Sequence, residues 1–127
     1  MSYLVDTNIL ISFINKEQEI VERVRAVGKV YISIVSIGEL FFGAIKSQFK
    51  EKNLFPVNII IKCNEICNIN LVTANHYGEI KNRLQKAGNP IPQNDLWIVA
   101  SAIEHDLVLV SRDRHILSIS DIRTEKW

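Results

Sequence analysis

Residues 95–113 read DLWIVASAIEHDLVLVSRD, and this stretch decides the fold. Its first half is apolar almost all round, which predicts a helix buried in the core. Its second half contains the continuous apolar run LVLV, residues 107–110, which is typical of a parallel strand covered on both faces. A buried helix followed at once by a buried strand predicts an α/β fold with a parallel sheet.

The rest of the chain repeats this alternation. Further strands are predicted at SYLVD (2–6), KVYIS (29–33), INLV (69–72) and, as a short edge strand, IRTEKW (122–127). Helices are predicted through ISFI, over 17–27, from Ser36 to about Ser47, after Pro56, and from an N-cap at Thr73 to Gly88. The segment NPIPQ (89–93) must be irregular because its prolines disfavour helix before them.

Size and composition predict one domain spanning residues 1–127, with 47% hydrophobic residues. There is no apolar run of about 18 residues and no signal-peptide pattern, so we expect a cytoplasmic protein without a membrane segment. Cys63 and Cys67 are four residues apart in a predicted helix, too far for a disulfide, and are expected to be reduced thiols.

Four acidic residues stand out because each is embedded in apolar sequence: Asp6, Glu39, Asp95 and Asp113. Two of them directly end predicted strands, and ligands of open α/β sheets bind outside the carboxyl ends of the strands. Buried carboxylates need a compensating charge. Oxygen ligands without clustered Cys or His favour Mg²⁺ or Mn²⁺ over zinc, with Asn8 and Ser111 orienting the carboxylates by hydrogen bonds.

Each acid also has a purely structural interpretation. Asp6 is a suitable N-cap for a helix starting in TNILI, and Asp113 for a short turn at RDRHIL. The spacing of Ser36 and Glu39 matches a capping box, and Asp95 is a possible N-cap, although Asn94 next to it could serve that purpose. No single acid decides between these interpretations, but a metal site explains all four together.

With these residues placed, the sequence resembles the PIN domain family, and within it the VapC-type ribonuclease toxins of toxin–antitoxin pairs. The resemblance is carried by VDTNILI (5–11), the motif SxxSxGELxxGAxKS (33–47), NDLWIVASA (94–102) and LVLVSRDRHI (107–116), which together span nearly the whole chain. The family often has Thr where this chain has Ser111, and many members have Gly just before the third acid, where IPQND has none.

The resemblance implies a PIN-like α/β/α sandwich with a central, mainly parallel sheet. It also implies a Mg²⁺- or Mn²⁺-dependent endoribonuclease whose metal and catalytic positions fall on Asp6, Glu39, Asp95 and Asp113, and a small cognate antitoxin that inhibits it. Water rather than the RNA 2′-hydroxyl would be the nucleophile, leaving 5′-phosphate and 3′-hydroxyl ends.

The surface around these motifs suggests where RNA and protein partners bind. Residues 46–90 carry seven basic and three acidic residues, although the net charge is only +1. Lys46, Lys50, Arg112 and Arg114 are candidate RNA backbone contacts, or ordinary solvated charges. Four phenylalanines near the predicted helical hairpin are candidates for an antitoxin groove or a homodimer surface, although core packing is the simpler expectation: Phe41, Phe42, Phe49 and Phe55.

Two other classes of function compete with cleavage. A non-catalytic PIN-like module would bind RNA or protein without cutting it, but the presence of all four acids argues against degeneration. A receiver-like Mg²⁺ phosphoacceptor would resemble proteins with paired acids after the first strand and a late Lys, where this chain has Ser111 and Arg112.

Overall fold

The computed structural model describes all 127 residues, Met1–Trp127, and contains five short strands and seven helices. The strands are β1 Tyr3–Val5, β2 Tyr31–Ser33, β3 Glu65–Cys67, β4 Val108–Val110 and β5 Thr124–Glu125. The helices are α1 Thr7–Ile14, α2 Gln18–Val27, α3 Ile34–Ile45, α4 Lys50–Cys63, α5 Leu71–Lys86, α6 Gln93–Glu104 and α7 Arg114–Leu117. None of these helices combines the length and apolar character that a membrane-spanning segment requires.

All five strands pair in parallel in one sheet of order β3-β2-β1-β4-β5. The chain starts at the centre, builds outward through β2 and β3, and then returns to build β4 and β5 on the other side. The strand order therefore reverses between β1 and β4. A crevice opens at such a switch point, outside the carboxyl ends of the two strands.

Two apolar clusters cover the two faces of the sheet. Leu4 of β1 points to the face covered by α5 and α6, and Val5 points to the face covered by α1, α2 and α4. This alternation follows from the two-residue side-chain period of a strand. The predicted α/β/α sandwich with a central parallel sheet is confirmed.

The boundaries of α3 and α4 differ from the prediction. Ser33 rather than Ser36 is the N-cap of α3, with its hydroxyl accepting from the Val35 N–H at 3.1 Å, so the capping box of Ser36 and Glu39 is wrong. The next helix starts at Lys50, and Pro56 lies inside it. Pro56 cannot bond the carbonyl of Lys52, but Lys52 is exposed, so water can hydrate that carbonyl.

The third strand also lies earlier than predicted. The apolar run INLV is not a strand, because Asn70 caps α5 and Thr73 completes its capping box from inside the helix. Cys63 ends α4 and Cys67 lies in β3, so the helical spacing assumed for the two cysteines is wrong. Both are nevertheless free thiols.

Candidate functional site

Asp6 is the most buried of the four acids, with 5% of the residue exposed. It directly follows β1 and is the N-cap of α1, where its Oδ1 accepts from the Thr7 N–H at 2.8 Å. Its Oδ2 accepts from the Ser111 hydroxyl at 2.7 Å. The capping interpretation of Asp6 therefore describes only one of its two oxygens, and the other faces the switch point.

Ser111 ties the two central strand ends together. It directly follows β4, is fully buried, and accepts from the Asp113 N–H at 3.0 Å while donating to Asp6. Asn8 does not orient a carboxylate directly; its Nδ2 donates to the Ser111 hydroxyl at 3.5 Å. The Oδ1 of Asn8 is buried without a hydrogen-bond partner. An unsatisfied buried acceptor of this kind calls for a missing ligand or water.

Glu39 reaches the site through Thr7, a residue that the sequence did not single out. The Thr7 Oγ1 lies 2.8 Å from Glu39 Oε1 and 2.9 Å from Ser36 Oγ. Because a carboxylate can only accept, Thr7 donates to Glu39 and accepts from Ser36. The signal that could have revealed Thr7 is its place directly after Asp6, in the first turn of a helix that starts at a strand end.

Asp95 and Asp113 lie on the two remaining elements of the crevice. Asp95 projects from the first turn of α6, whose N-cap is Pro92 rather than Asn94. Asp113 is the N-cap of α7, and its Oδ1 accepts from the His115 N–H at 2.8 Å. Four different elements thus each deliver one carboxylate.

The charges of neighbouring carboxylates act on Asp6 and Asp95. Burial and, to a smaller extent, the charges of Asp6, Asp113 and Glu39 together raise the pKa of Asp95 to about 6. Burial also raises the pKa of Asp6, against the opposing hydrogen bonds from Ser111 and the Thr7 N–H. Asp6 and Asp95 thus each lie within electrostatic range of Glu39 and Asp113.

The donor set suits a hard divalent cation in its chemistry, because it consists of four carboxylates and the unpaired Asn8 Oδ1. However, no three acidic, His or Cys side chains are close enough to hold one ion in this arrangement. Oxygens of three of the acids are instead bonded to protein donors: Asp6, Glu39 and Asp113. Because Asp6 is held by Thr7 and Ser111, a bound ion requires the side chains of the other acids to turn toward Asp6.

The four candidate RNA contacts have different surroundings. Arg112 forms a two-pronged ion pair with Glu17, at 2.6 and 3.1 Å, and its Nε donates to the Trp127 carbonyl at 2.9 Å. Lys46, Lys50 and Arg114 are exposed and form no ion pair with an acid.

Core packing is wrong for three of the four phenylalanines. Phe42 and Phe49 are both 65% exposed and Phe55 is 69% exposed, whereas Phe41 is partly buried against the core. Phe42 and Lys46 line a cleft of about 540 Å³ together with Thr7 and Glu39. Phe55 lines a larger apolar groove of about 930 Å³ between α2 and α4.

Comparison with known proteins gives one consistent family. The model of the PIN domain family matches residues 3–122. The chain is 35% identical to Ribonuclease VapC2 of Haemophilus influenzae and 32% identical to the tRNA(fMet)-specific endonuclease VapC of Shigella flexneri, in each case over 100% of this chain and 98% of the relative. The crystal structure of VapBC2 from Rickettsia felis bound to a DNA fragment from their promoter contains a chain with a TM-score of 0.92 and 29% identity, covering 100% of this chain and 99% of that one.

Proposed function

This chain belongs to the PIN domain family, and from that membership we propose that it is a Mg²⁺- or Mn²⁺-dependent endoribonuclease, the toxin of a VapBC-type pair. The ribonuclease names of relatives aligned over the full length support RNA as the substrate. The observation that carries the proposal is that carboxylates from four elements lie around the switch point of the sheet, three of them within electrostatic range of Asp95.

The four acids would hold the cation, and the unpaired Asn8 Oδ1 is a further candidate ligand. When bound, such an ion lowers the pKa of a water molecule and neutralises charge on the scissile phosphate. Asp6 is fixed by Ser111 and by the Thr7 N–H, so its direction is set before any ligand arrives. Preorganised groups of this kind lose little free energy on reorganising during the reaction.

Glu39 and Asp113 are the candidates for accepting the proton of the attacking water. Each has one oxygen bonded to a protein donor, Thr7 Oγ1 or the His115 N–H, which leaves the other oxygen available. A general base must lie within hydrogen-bond reach of the proton it removes.

Basic side chains near the crevice would position the RNA backbone. Lys46, Lys50 and Arg114 are free to contact phosphates, whereas Arg112 must first give up part of its bond to Glu17. Removing a phosphate contact reduces the dependence of RNA affinity on salt. We therefore expect Lys46→Gln, Lys50→Gln and Arg114→Gln to flatten the salt slope more than Arg112→Gln does.

The test of the activity is cleavage of a mixed-sequence RNA by purified protein in Mg²⁺, in EDTA, and after Asp6→Asn or Asp95→Asn. We expect cleavage by the wild type in Mg²⁺ alone, with 5′-phosphate and 3′-hydroxyl ends. Equal cleavage by the variants, or 2′,3′-cyclic phosphate ends, would refute the mechanism. RNA binding without any cleavage would favour the non-catalytic module.

An antitoxin partner is proposed from the family and from the groove between α2 and α4. The exposed Phe55 and the partly buried Phe13 give this groove an apolar lining, which suits the apolar face of a peptide or helix. Co-expression with the VapB antitoxin of a relative or of the source genome should yield a complex that Phe55→Ser weakens. A homodimer remains a further proposal, tested by the mass of the purified protein in solution.

A further inference from the structure

The cleft beside Glu39 contains features that the cleavage chemistry does not use. Resting on the proposed function, we infer that this cleft binds one nucleotide of the RNA substrate, with the base stacked on Phe42 and a backbone phosphate on Lys46. The following paragraphs call it the α3 cleft, since α3 supplies Glu39, Phe42 and Lys46.

The α3 cleft is continuous with the acidic site. Thr7 and Glu39, which hydrogen-bond to each other at 2.8 Å, are among the residues that line it, so a nucleotide bound here would adjoin the scissile phosphate. Gly38 and Gly43 form part of its wall, and a Cβ on either would meet no atom within 4 Å. The wall is therefore open rather than filled by packed side chains.

The Phe42 ring offers a stacking surface, because it lies outside the core and is exposed. Its side chain is 65% exposed, although large apolar side chains are usually buried. Lys46 Nζ lies 5.0 Å from the centre of the Phe42 ring, which holds the ammonium group beside that surface. An aromatic ring next to an unpaired cation is the pattern by which single-stranded nucleic acids are bound.

Apart from Glu39, which belongs to the acidic site, the polar groups that line the α3 cleft fit the parts of a nucleotide. Lys46 is the only basic residue among those that line it, and it forms no ion pair with an acid. Asn94 of α6 also lines the cleft and offers an amide donor and acceptor for a base edge. One cation, one ring and one amide match one nucleotide.

A matched control lies on the same surface. Phe49 is also 65% exposed, and Lys52 Nζ lies 5.9 Å from the centre of its ring. Neither residue lines the α3 cleft. The Phe49 and Lys52 pair therefore reproduces the chemistry of Phe42 and Lys46 without the position next to Glu39.

The experiment measures kcat/KM and kcat on a fluorescein-labelled single-stranded RNA of mixed sequence in Mg²⁺. Phe42→Leu should lower kcat/KM by about 5- to 100-fold, because a base–aromatic stack contributes that much to affinity, while Phe42→Trp should retain most of it. Lys46→Gln should weaken binding and reduce the salt slope by about 1. Phe49→Leu and Lys52→Gln should match the wild type.

An abasic scan identifies the contact directly. A set of RNAs is prepared in which each copy lacks the base at one position near the mapped cut. The wild type should cleave one of these copies more slowly than the intact RNA. On that copy Phe42→Leu should cause no further loss, because the stacking partner is already gone. If the loss from Phe42→Leu and the loss from base removal multiply at every abasic position, the inference is overturned.

The two proposals can fail separately. If Asp6→Asn abolishes cleavage while Phe42→Leu and Phe49→Leu behave alike, the nuclease stands and the nucleotide site falls. If Phe42→Leu leaves RNA cleavage unchanged but weakens the complex with the antitoxin, the cleft binds protein instead. If the wild type cleaves no RNA in Mg²⁺ or Mn²⁺, both proposals fall together.

Discussion

Ser111 and Ser101 are both fully buried serines, but only Ser111 has hydrogen-bond partners. Ser111→Ala removes the donor to Asp6 and the acceptor of the Asp113 N–H, and we expect a loss of about 1–3 kcal/mol in the free energy of unfolding. Ser101→Ala removes a hydroxyl that bonds to nothing, so its effect should be neutral or stabilising. Urea unfolding of both variants tests this, and equal losses would contradict the role given to Ser111.

The ionised Asp95 carboxylate should lower the free energy of unfolding of the metal-free protein at neutral pH. Its folded pKa of about 6 lies above the ordinary value of 3.8, so the folded state holds the proton more tightly than the unfolded state. Ionisation therefore opposes folding increasingly as the pH rises from about 4 to above 6. Asp95→Asn should raise stability at pH 7.5 in EDTA by on the order of 1–2 kcal/mol, allowing for solvent screening.

The same substitution should give little advantage at pH 4, where Asp95 is protonated in the folded wild type. Saturating Mg²⁺ should also remove the advantage, because only the wild type keeps the full set of carboxylates. Thermal unfolding at the two pH values gives the comparison. A variant that is less stable than the wild type at pH 7.5 would show that Asp95 is a structural acid.

Three of the acids stand out in the sequence by position, because Asp6, Asp95 and Asp113 lie where a strand ends or a helix begins, whereas Glu39 stands out only by the apolar sequence around it and lies in the second turn of α3. The hydrogen-bond partners of these acids could not be predicted from the sequence. Thr7 reaches Glu39 across 32 positions and Ser111 reaches Asp6 across 105, and such contacts depend on the sheet order. The exposure of Phe42 could not be predicted from the sequence either, because an apolar residue in an apolar helix is expected to lie in the core.

At the scale of elements, two glycines provide a matched test of backbone conformation. Gly78 lies inside α5, is exposed, and has room for a Cβ, so Gly78→Ala should stabilise by about 0.5–1 kcal/mol. Gly88 follows the same helix with φ of +73°, which an L side chain adopts only with strain, so Gly88→Ala should cost about 1–2 kcal/mol. Chemical denaturation measures both, and shifts of the same sign would contradict the assigned conformations.

Elements with strong apolar patterns were predicted well, and those decided by local capping were not. β1, β2, β4 and α6 lie where the apolar runs indicate. The run INLV failed because Asn70 and Thr73 form a capping box that starts a helix within it, leaving Leu71 and Val72 exposed. Short apolar runs are compatible with both strand and helix, and hydrogen bonds of this kind decide between them.

At the scale of the whole molecule, the strand order creates the site. β1 and β4 are separated by about a hundred residues, yet they are neighbours and their following residues, Asp6 and Ser111, bond at 2.7 Å. The chain end contributes to the same region, because Arg112 binds both Glu17 and the Trp127 carbonyl. A site assembled from distant segments in this way should be lost as soon as the sheet unfolds.

The most direct test of the central claim is calorimetric titration of the purified protein with Mn²⁺. The account predicts saturable binding to the wild type and at least about 10-fold weaker binding to Asp6→Asn and Asp95→Asn. Asp106→Asn, at an exposed acid paired with Arg123, should bind as the wild type does. Binding of equal strength by all four proteins, or none by the wild type, would contradict a metal site built from these carboxylates.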